Sequence, residues 1–125
     1  MTYEDALNIF TDGSSLQKPR RGGIGIRYIT YDNSGKEIIQ DVQVSGYKGA
    51  TNNQMELQAC IMALKEAIRQ ELTRNVAWVV IYTDSLYVAD NYKKAMFEWP
   101  KNKWFKKTGG PVLNAEQWKE LIRLI

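Results

Sequence analysis

The sequence predicts an α/β fold with a mixed sheet, in which three antiparallel strands gain a fourth, parallel strand and helices flank the sheet. Three strand-like segments come first, at residues 6–11, 22–30 and 36–46, and turn-forming residues separate them. A helical segment that opens near residue 51 then leads to an almost wholly apolar segment at residues 77–83. A strand that follows a helix and joins an earlier strand implies a right-handed parallel crossover. Its apolar character predicts cover on both of its faces.

The first three strands are expected to form an antiparallel meander. Residues 6–11 form an apolar run, and a glycine-broken loop at residues 13–23 is expected to follow it. In residues 22–30 apolar side chains alternate with small or polar ones, which is typical of a half-buried strand. Gly35 can close a hairpin turn because glycine accepts a positive φ, and the third strand then returns over residues 36–46.

Each of the three predicted helices has a candidate capping residue. Thr51 and Gln54 form a capping-box pattern at the start of the first helix. Ser85 can cap the second helix, and Asn114 can cap the third, over residues 115–125. The apolar stripe of the first helix consists of Leu57, Ile61, Leu64, Ile68 and Leu72.

The composition limits the classes of function. A chain of 125 residues that is 44% hydrophobic fits one domain, spanning residues 1–125, with a modest core. It has no run of about eighteen apolar residues and its first residues are polar and acidic, so we expect a soluble, cytoplasmic protein with no membrane partner. Histidine is absent, which excludes Ser-His and Cys-His nucleophile systems and histidine-ligated zinc. The single cysteine, Cys60, shares a helix face with Ala63 and Ala67, which favours a small buried hydrophobe over a reactive thiol.

Three acidic residues stand at the ends of predicted elements. Asp12 follows the first strand, Asp84 follows the fourth, and Glu56 lies near the start of the first helix. Carboxylates that converge repel one another and need a compensating cation such as Mg²⁺. The pattern predicts a metal-dependent active site, although a glutamate near a helix start can also simply favour the helix dipole.

Lysines alternate with aromatic residues between positions 93 and 107. The net charge of the chain is only +3, so this uneven placement is more informative than the total. The pattern favours a surface that follows a nucleic-acid backbone, while a solvated lysine face and packing of aromatic rings between helices are the alternatives. The residues concerned are Lys93, Lys94, Phe97, Trp99, Lys101, Lys103, Trp104, Phe105, Lys106 and Lys107.

Several motifs occur in a characteristic order. They are Phe10-Thr11-Asp12-Gly13-Ser14, Thr51-Asn52-Asn53-Gln54-Met55-Glu56-Leu57, Tyr82-Thr83-Asp84-Ser85, the pair Trp99 and Trp104, and Pro111-Val112-Leu113-Asn114. In these segments, which span nearly the whole chain, the sequence resembles a type 1 ribonuclease H. The resemblance implies a ribonuclease H-like sheet and a metal-dependent endonuclease that cuts the RNA strand of RNA–DNA hybrids.

The resemblance also implies roles for individual residues. Asp12, Glu56 and Asp84 would be the catalytic metal ligands for two Mg²⁺ ions, with Mn²⁺ as a substitute. Thr51 and Asn114 would grip a phosphate of the DNA strand. The full set expected to contact the hybrid is Gly13, Ser14, Thr51, Asn52, Asn53, Ser85, Trp99, Lys101, Lys103, Trp104 and Asn114.

The sequence departs from the family pattern after its last predicted helix. Family members continue with a strand, a histidine loop and a helix that carries a fourth carboxylate, and this sequence has none of the three. The resemblance therefore implies a C-terminally incomplete fold with impaired cleavage, whose fourth strand is a sheet edge open to self-association or to a complementing chain. The alternative functions are a catalytically silent nucleic-acid-binding module of the same fold and a structural or interaction protein. The three carboxylates argue against the silent module, because a pure binder gains nothing from acids placed near phosphate.

Overall fold

A computed structural model of the chain describes residues 2–17, 20–48 and 51–125, with side chains described outside 13–23 and 44–48. Among the described helices, none is both long and apolar enough to cross a membrane. The elements in chain order are β1 (Ala6–Gln17), β2 (Arg20–Tyr31), β3 (Glu37–Lys48), α1 (Asn52–Arg69), β4 (Trp78–Thr83), α2 (Leu86–Lys93), a π-helical turn (Lys94–Glu98) that continues α2, and α3 (Ala115–Leu124).

The four strands form one mixed sheet in the order β3-β2-β1-β4. β1 pairs with β2 and β2 with β3 in antiparallel fashion, while β4 lies parallel to β1. The fold class predicted from the sequence, three antiparallel strands with one parallel addition and flanking helices, is therefore confirmed.

β1 and β2 are longer than the sequence predicts. The loop expected over residues 13–23 is wrong in the described part of the chain, because β1 continues to Gln17 and β2 begins at Arg20. The backbone of Gly13 pairs with that of Ile24 within this extension. β2 pairs with a strand on each side, and hydrogen bonds from two ladders can hold a backbone in strand geometry even where glycine contributes no side chain.

The core lies between one face of the sheet and α1. Leu7 and Ile9 of β1 are fully buried, as is Ile26 of β2 to within a few per cent, and all three belong to one apolar cluster with Leu57 and Ile61 of α1. Burying a side chain of this size contributes roughly 1.5–3 kcal/mol. This packing fixes α1 across β1 and so sets where the start of α1 lies.

The outer side of β4 is open. The predicted cover on both faces of β4 is wrong for the described residues, since Trp78 is 65% and Val79 41% exposed. β4 pairs only with β1 within the described sheet, and an apolar groove of about 1280 Å³ runs beside it. Ile68 lines this groove and is 50% exposed, whereas the stripe residues nearer the start of α1 are buried. Ile68 is the last stripe residue within α1, because the helix ends at Arg69 and the predicted stripe member Leu72 lies beyond it.

α3 docks through Trp118, which is fully buried. Its ring meets Trp99 edge-on at a centroid distance of 5.9 Å and lies 5.8 Å from the Tyr87 ring. Trp118 therefore ties α3 to both α2 and the segment after it. The result is that residues near the starts of α1, α2 and α3 are held close together.

Candidate functional site

The three predicted carboxylates meet at one end of the β1–β4 pair. The last backbone pair of this parallel ladder is Thr11 with Thr83, so Asp12 and Asp84 are the next residues along each strand. Neighbouring strands lie about 4.8 Å apart, which brings these two residues side by side. Glu56 approaches from α1, and one carboxylate oxygen from each residue lies within 4.8 Å of the other two.

The environment of this carboxylate cluster suits a hard cation. Asp12 and Asp84 are exposed and Glu56 is half-buried. Three negative groups at this spacing repel one another, and oxygen ligands of this type are those that Mg²⁺ and Mn²⁺ take in proteins. The donor set therefore fits a divalent metal.

Cys60 and Thr11 form the buried floor behind the carboxylate cluster. Both side chains are almost completely buried, and Thr11 Oγ1 lies 4.0 Å from Cys60 Sγ. Burial raises the pKa of the Cys60 thiol to about 11, and the charge of Glu56 adds to the increase. The thiol is therefore neutral at ordinary pH, and Cys60 is the buried small hydrophobe that the sequence predicts rather than a nucleophile.

The start of α1 presents three predicted hybrid contacts one turn before Glu56. Thr51 forms the predicted capping box: its Oγ1 accepts from the Gln54 backbone N–H at 3.2 Å, and its own N–H donates to Gln54 Oε1 at 3.0 Å. Thr51, Asn52 and Asn53 are all exposed. The cap thus leaves the two asparagine side chains at the surface beside the carboxylate cluster.

Two further predicted contacts follow the aspartates directly. Ser85 comes after Asp84 and caps α2 as predicted, since its Oγ accepts from the Val88 N–H at 3.2 Å. Gly13 and Ser14 come after Asp12 on β1, and their side-chain positions lie outside the described part of the structure. Their predicted contact with a hybrid stays a prediction.

Asn114 stands at the predicted N-cap position but does not cap α3 with its side chain. Its backbone is left-handed, with φ at 59°, and its side chain turns to other partners. Asn114 Oδ1 accepts from Gln54 Nε2 at 3.5 Å, and Asn114 Nδ2 donates to Tyr87 Oη at 3.3 Å. The structure thereby links Thr51 and Asn114 through one Gln54 side chain.

Sequence reasoning did not identify Gln54 or Tyr87 as parts of this site. Their bonds to Asn114 span 60 and 27 residues of chain, so no local pattern reports them. The only signal was the glutamine at the third position of the capping box, whose amide has a donor left over after it has served Thr51.

Trp99 is enclosed by other aromatic rings. It is only 7% exposed and packs between Trp118 and Trp104, with the Trp104 centroid at 6.1 Å. A ring enclosed in this way offers little surface to a nucleic acid. Packing of aromatic rings, one of the two alternatives, is therefore what the structure shows for Trp99, and its contact with a hybrid stays a prediction.

Residues 100–105, called the lysine turn below, form an exposed turn next to these rings. Lys101 and Lys103 are exposed, and Phe105 is 53% exposed. Lys103 and Trp104 both have left-handed backbones, with φ of 55° and 64°, and a bond of 2.8 Å from the Trp104 N–H to the Trp99 carbonyl holds the turn. Trp104 itself is half-buried, and the Lys119 ammonium lies 5.4 Å from its ring centroid.

Comparison with known proteins gives a consistent result. The family model described as RNase H matches residues 4–125. Ribonuclease H of Parvibaculum lavamentivorans is 40% identical over 121 residues, which cover 97% of this chain and 73% of that protein. This and the other bacterial ribonuclease H and HI relatives are covered over 65–73% of their own length.

Two solved structures show the same fold. LC9-RNase H1, a type 1 RNase H with the type 2 active-site motif, superposes with a TM-score of 0.76 at 26% identity. The match covers 99% of this chain and 59% of the LC9-RNase H1 chain. LC11-RNase H1, solved in complex with an RNA/DNA hybrid, gives a TM-score of 0.64 at 21% identity, with 94% of this chain and 75% of its own covered.

Proposed function

The chain belongs to the ribonuclease H family, and on that premise we propose that it is a metal-dependent endonuclease that cuts the RNA strand of RNA–DNA hybrids. The observation that carries this proposal is the convergence of Asp12, Glu56 and Asp84 within 4.8 Å. A relative of the same fold, LC11-RNase H1, binds an RNA/DNA hybrid, which supports the substrate class.

Asp12, Glu56 and Asp84 would hold Mg²⁺, with Mn²⁺ as a substitute. Bound there, divalent cations supply an activated water and neutralise charge on the phosphate. The protein's own part is to hold three oxygen donors rigidly, two from adjacent strands and one from α1. We expect faster cleavage with Mn²⁺, because Mg²⁺ demands nearly ideal octahedral geometry and Mn²⁺ binds such sites more tightly.

The start of α1 would read the hybrid. Asn52 and Asn53 are exposed amides that can both donate to and accept from ribose 2′-hydroxyls and base edges, the groups that distinguish RNA from DNA. Thr51 and Asn114 would bind a phosphate of the DNA strand, where the positive end of the α1 dipole adds to their hydrogen bonds.

The lysine turn would lie along the DNA strand. Lys101 and Lys103 would pair with phosphates, and the half-buried Trp104 would support their turn. Trp99 is buried, and it would support the turn by packing against Trp104. Phosphate pairing of this kind strengthens binding without reading sequence.

A cleavage assay tests the proposal. A short hybrid is labelled on either strand and incubated with Mg²⁺, Mn²⁺ or EDTA. We expect cuts in the RNA strand only, none in EDTA, and a loss of at least about a hundredfold in Asp12→Asn, as removal of a catalytic group usually costs. Asp90→Asn, an exposed aspartate on α2, is the matched control and should behave as wild type. Cleavage of both strands, or undiminished cleavage by Asp12→Asn, would refute the assignment.

A catalytically silent hybrid-binding module is the second candidate. The exposed lysine turn favours it, because binding through Lys101 and Lys103 needs no metal. Replacing both lysines by alanine should reduce the slope of log affinity against log salt by about 0.9 for each phosphate that a lysine no longer neutralises. Hybrid binding by wild type that depends on salt in this way, together with no cleavage in Mg²⁺ or Mn²⁺, would favour the silent module over the enzyme.

We also propose that the outer edge of β4 pairs with another polypeptide, either a second copy or a complementing chain. β4 contains no lysine or proline of the kind that usually blocks pairing at sheet edges, and an apolar groove lies beside it. Sedimentation over a range of concentrations should show association that Val79→Lys abolishes. Ile39→Lys, at a similarly exposed position on the opposite edge, is the control. A concentration-independent monomer would contradict pairing between two copies and leave only the complementing chain.

A further inference from the structure

We propose that Gln54 is a positioning residue, whose side-chain amide fixes the orientation of Asn114 for binding a phosphate of the DNA strand. This inference rests on the function proposed above and assigns a role to a residue that lies outside the metal site. It depends on a relay of hydrogen bonds that connects α1, α2 and α3.

The direction of the relay is set at its first end by a backbone group. The Thr51 N–H can only donate, so the atom of Gln54 that faces it at 3.0 Å must be Oε1. Gln54 Nε2 then points away from Thr51 and towards Asn114, where it meets Oδ1 at 3.5 Å. The capping box therefore determines which atom Gln54 offers to Asn114.

The other end of the relay is the Tyr87 hydroxyl, which also meets an indole. Trp118 Nε1 can only donate, and it donates to Tyr87 Oη at 3.0 Å. Asn114 Nδ2 donates to the same hydroxyl at 3.3 Å. The Gln54 end thus places the Asn114 oxygen towards α1, and the Tyr87 hydroxyl, which can accept from both donors, accommodates the Asn114 nitrogen towards α2.

Asn114 needs such a tether because its own backbone gives it little support. It stands in the left-handed region, with φ at 59°, and its side chain makes no cap bond to α3. Asparagine tolerates this backbone better than most residues, but its χ angles would be free to rotate. Holding a side chain in its binding orientation before the ligand arrives removes the cost of ordering that side chain on binding.

The helices that carry the relay are themselves fastened together. Gln117 Nε2, in the first turns of α3, donates to the Gln54 carbonyl at 3.2 Å and to Gln58 Oε1 at 3.1 Å. The placement of α3 against α1 therefore has support that does not involve the Gln54 side chain, while the Gln54 side chain sets the orientation of the Asn114 amide. Gln54→Ala should free the Asn114 amide to rotate and leave the helices in place. The start of α1 should survive the change, because Thr51 Oγ1 accepts from the backbone of residue 54.

A double-mutant cycle tests the inference. Hybrid affinity is measured by fluorescence anisotropy in EDTA for wild type, Gln54→Ala, Asn114→Ala and the double variant. We expect about fivefold weaker binding for Gln54→Ala, which corresponds to about 1 kcal/mol. In the Asn114→Ala background the same change should cost nothing further. Under cleavage conditions Gln54→Ala should raise KM and leave kcat unchanged, which a general loss of folding would not do.

Gln70→Ala is the matched control, because it removes a glutamine at the opposite end of α1. Its hybrid affinity should equal that of wild type. Multiplicative losses in the double variant would show that Gln54 and Asn114 act independently, and a Gln54→Ala affinity equal to wild type would show that Gln54 has no role in binding. Either result would overturn the inference.

A second measurement on the free protein separates this inference from the proposed function. The side-chain amide signals of Asn114 in a ¹⁵N–¹H spectrum should move towards those of a freely rotating asparagine in Gln54→Ala. Unchanged signals would overturn the relay whether or not hybrids are cut. If wild type binds no hybrid at all, the proposed function fails, and the phosphate role of Asn114 fails with it.

Discussion

Replacing Asp12 by asparagine should stabilise the metal-free protein. The change keeps the size of the side chain and removes one of three negative charges. One oxygen of each carboxylate lies within 4.8 Å of the other two, so each pair repels by about 0.9 kcal/mol even at the dielectric constant of water. Asp12 takes part in two such pairs. Allowing for ionic screening, we expect the free energy of unfolding to rise by about 1–2 kcal/mol at low salt.

Thermal unfolding in EDTA measures this effect. For a chain of 125 residues, a gain of this size should raise Tm by roughly 3–8 °C, and the gain should shrink in high salt. Added Mn²⁺ should reverse the order, because a ligand at a hundred times its Kd stabilises wild type by about 2.7 kcal/mol and the variant far less. Asp90→Asn should have the same Tm as wild type both in EDTA and in Mn²⁺. A lower Tm for Asp12→Asn in EDTA, or equal stabilisation of both proteins by Mn²⁺, would refute the reasoning.

Three further predictions concern ionisable groups in and beside α1. Burial, with a contribution from Glu66, raises the pKa of Tyr28 to about 12. The free energy of unfolding should therefore hold below pH 10 and fall as the pH rises from 10 towards 12. Urea titrations at alkaline pH should show this fall, and Tyr28→Phe should make it smaller. Hydrogen bonds from Arg69 and Gln70 lower the pKa of Glu66 to about 2. Its contribution to the free energy of unfolding should therefore be present above about pH 4.3 and be lost as the pH falls towards 2. Glu66→Gln should remove this dependence of stability on acidic pH. The Cys60 thiol is buried, so it should react with a disulfide reagent only as fast as the protein opens, and rapid labelling of the folded protein would show that this packing is wrong.

Local signals account for what the sequence predicted correctly. Thr51 with Gln54 marks the start of α1 because a capping box involves only neighbouring residues. Asp12 and Asp84 could be placed together because each follows an apolar strand, and parallel strands end at the same edge of a sheet. Glu56 lies one turn inside a recognisable helix start, so it too could be located in advance.

Non-local contacts account for what the sequence did not predict. The extension of β1 and β2 depends on backbone pairing between the two strands rather than on the local pattern of glycines. Trp99 is buried because Trp118 arrives from α3 and covers it, and the aromatic pattern of its own segment cannot show this. Asn114 faces Gln54 across 60 residues, so its cap position was evident and its true partner was not.

X-ray diffraction from crystals soaked in Mn²⁺, recorded at the manganese absorption edge, tests the central claim most directly. If Asp12, Glu56 and Asp84 form a metal centre, the anomalous map should show a strong peak at about 2.0–2.4 Å from an oxygen of each residue. The same map from Asp84→Asn crystals should show a weaker peak or none. A wild-type map without a peak among these three carboxylates, or with its strongest peak elsewhere on the protein, would contradict the claim that they are the ligands of a catalytic metal.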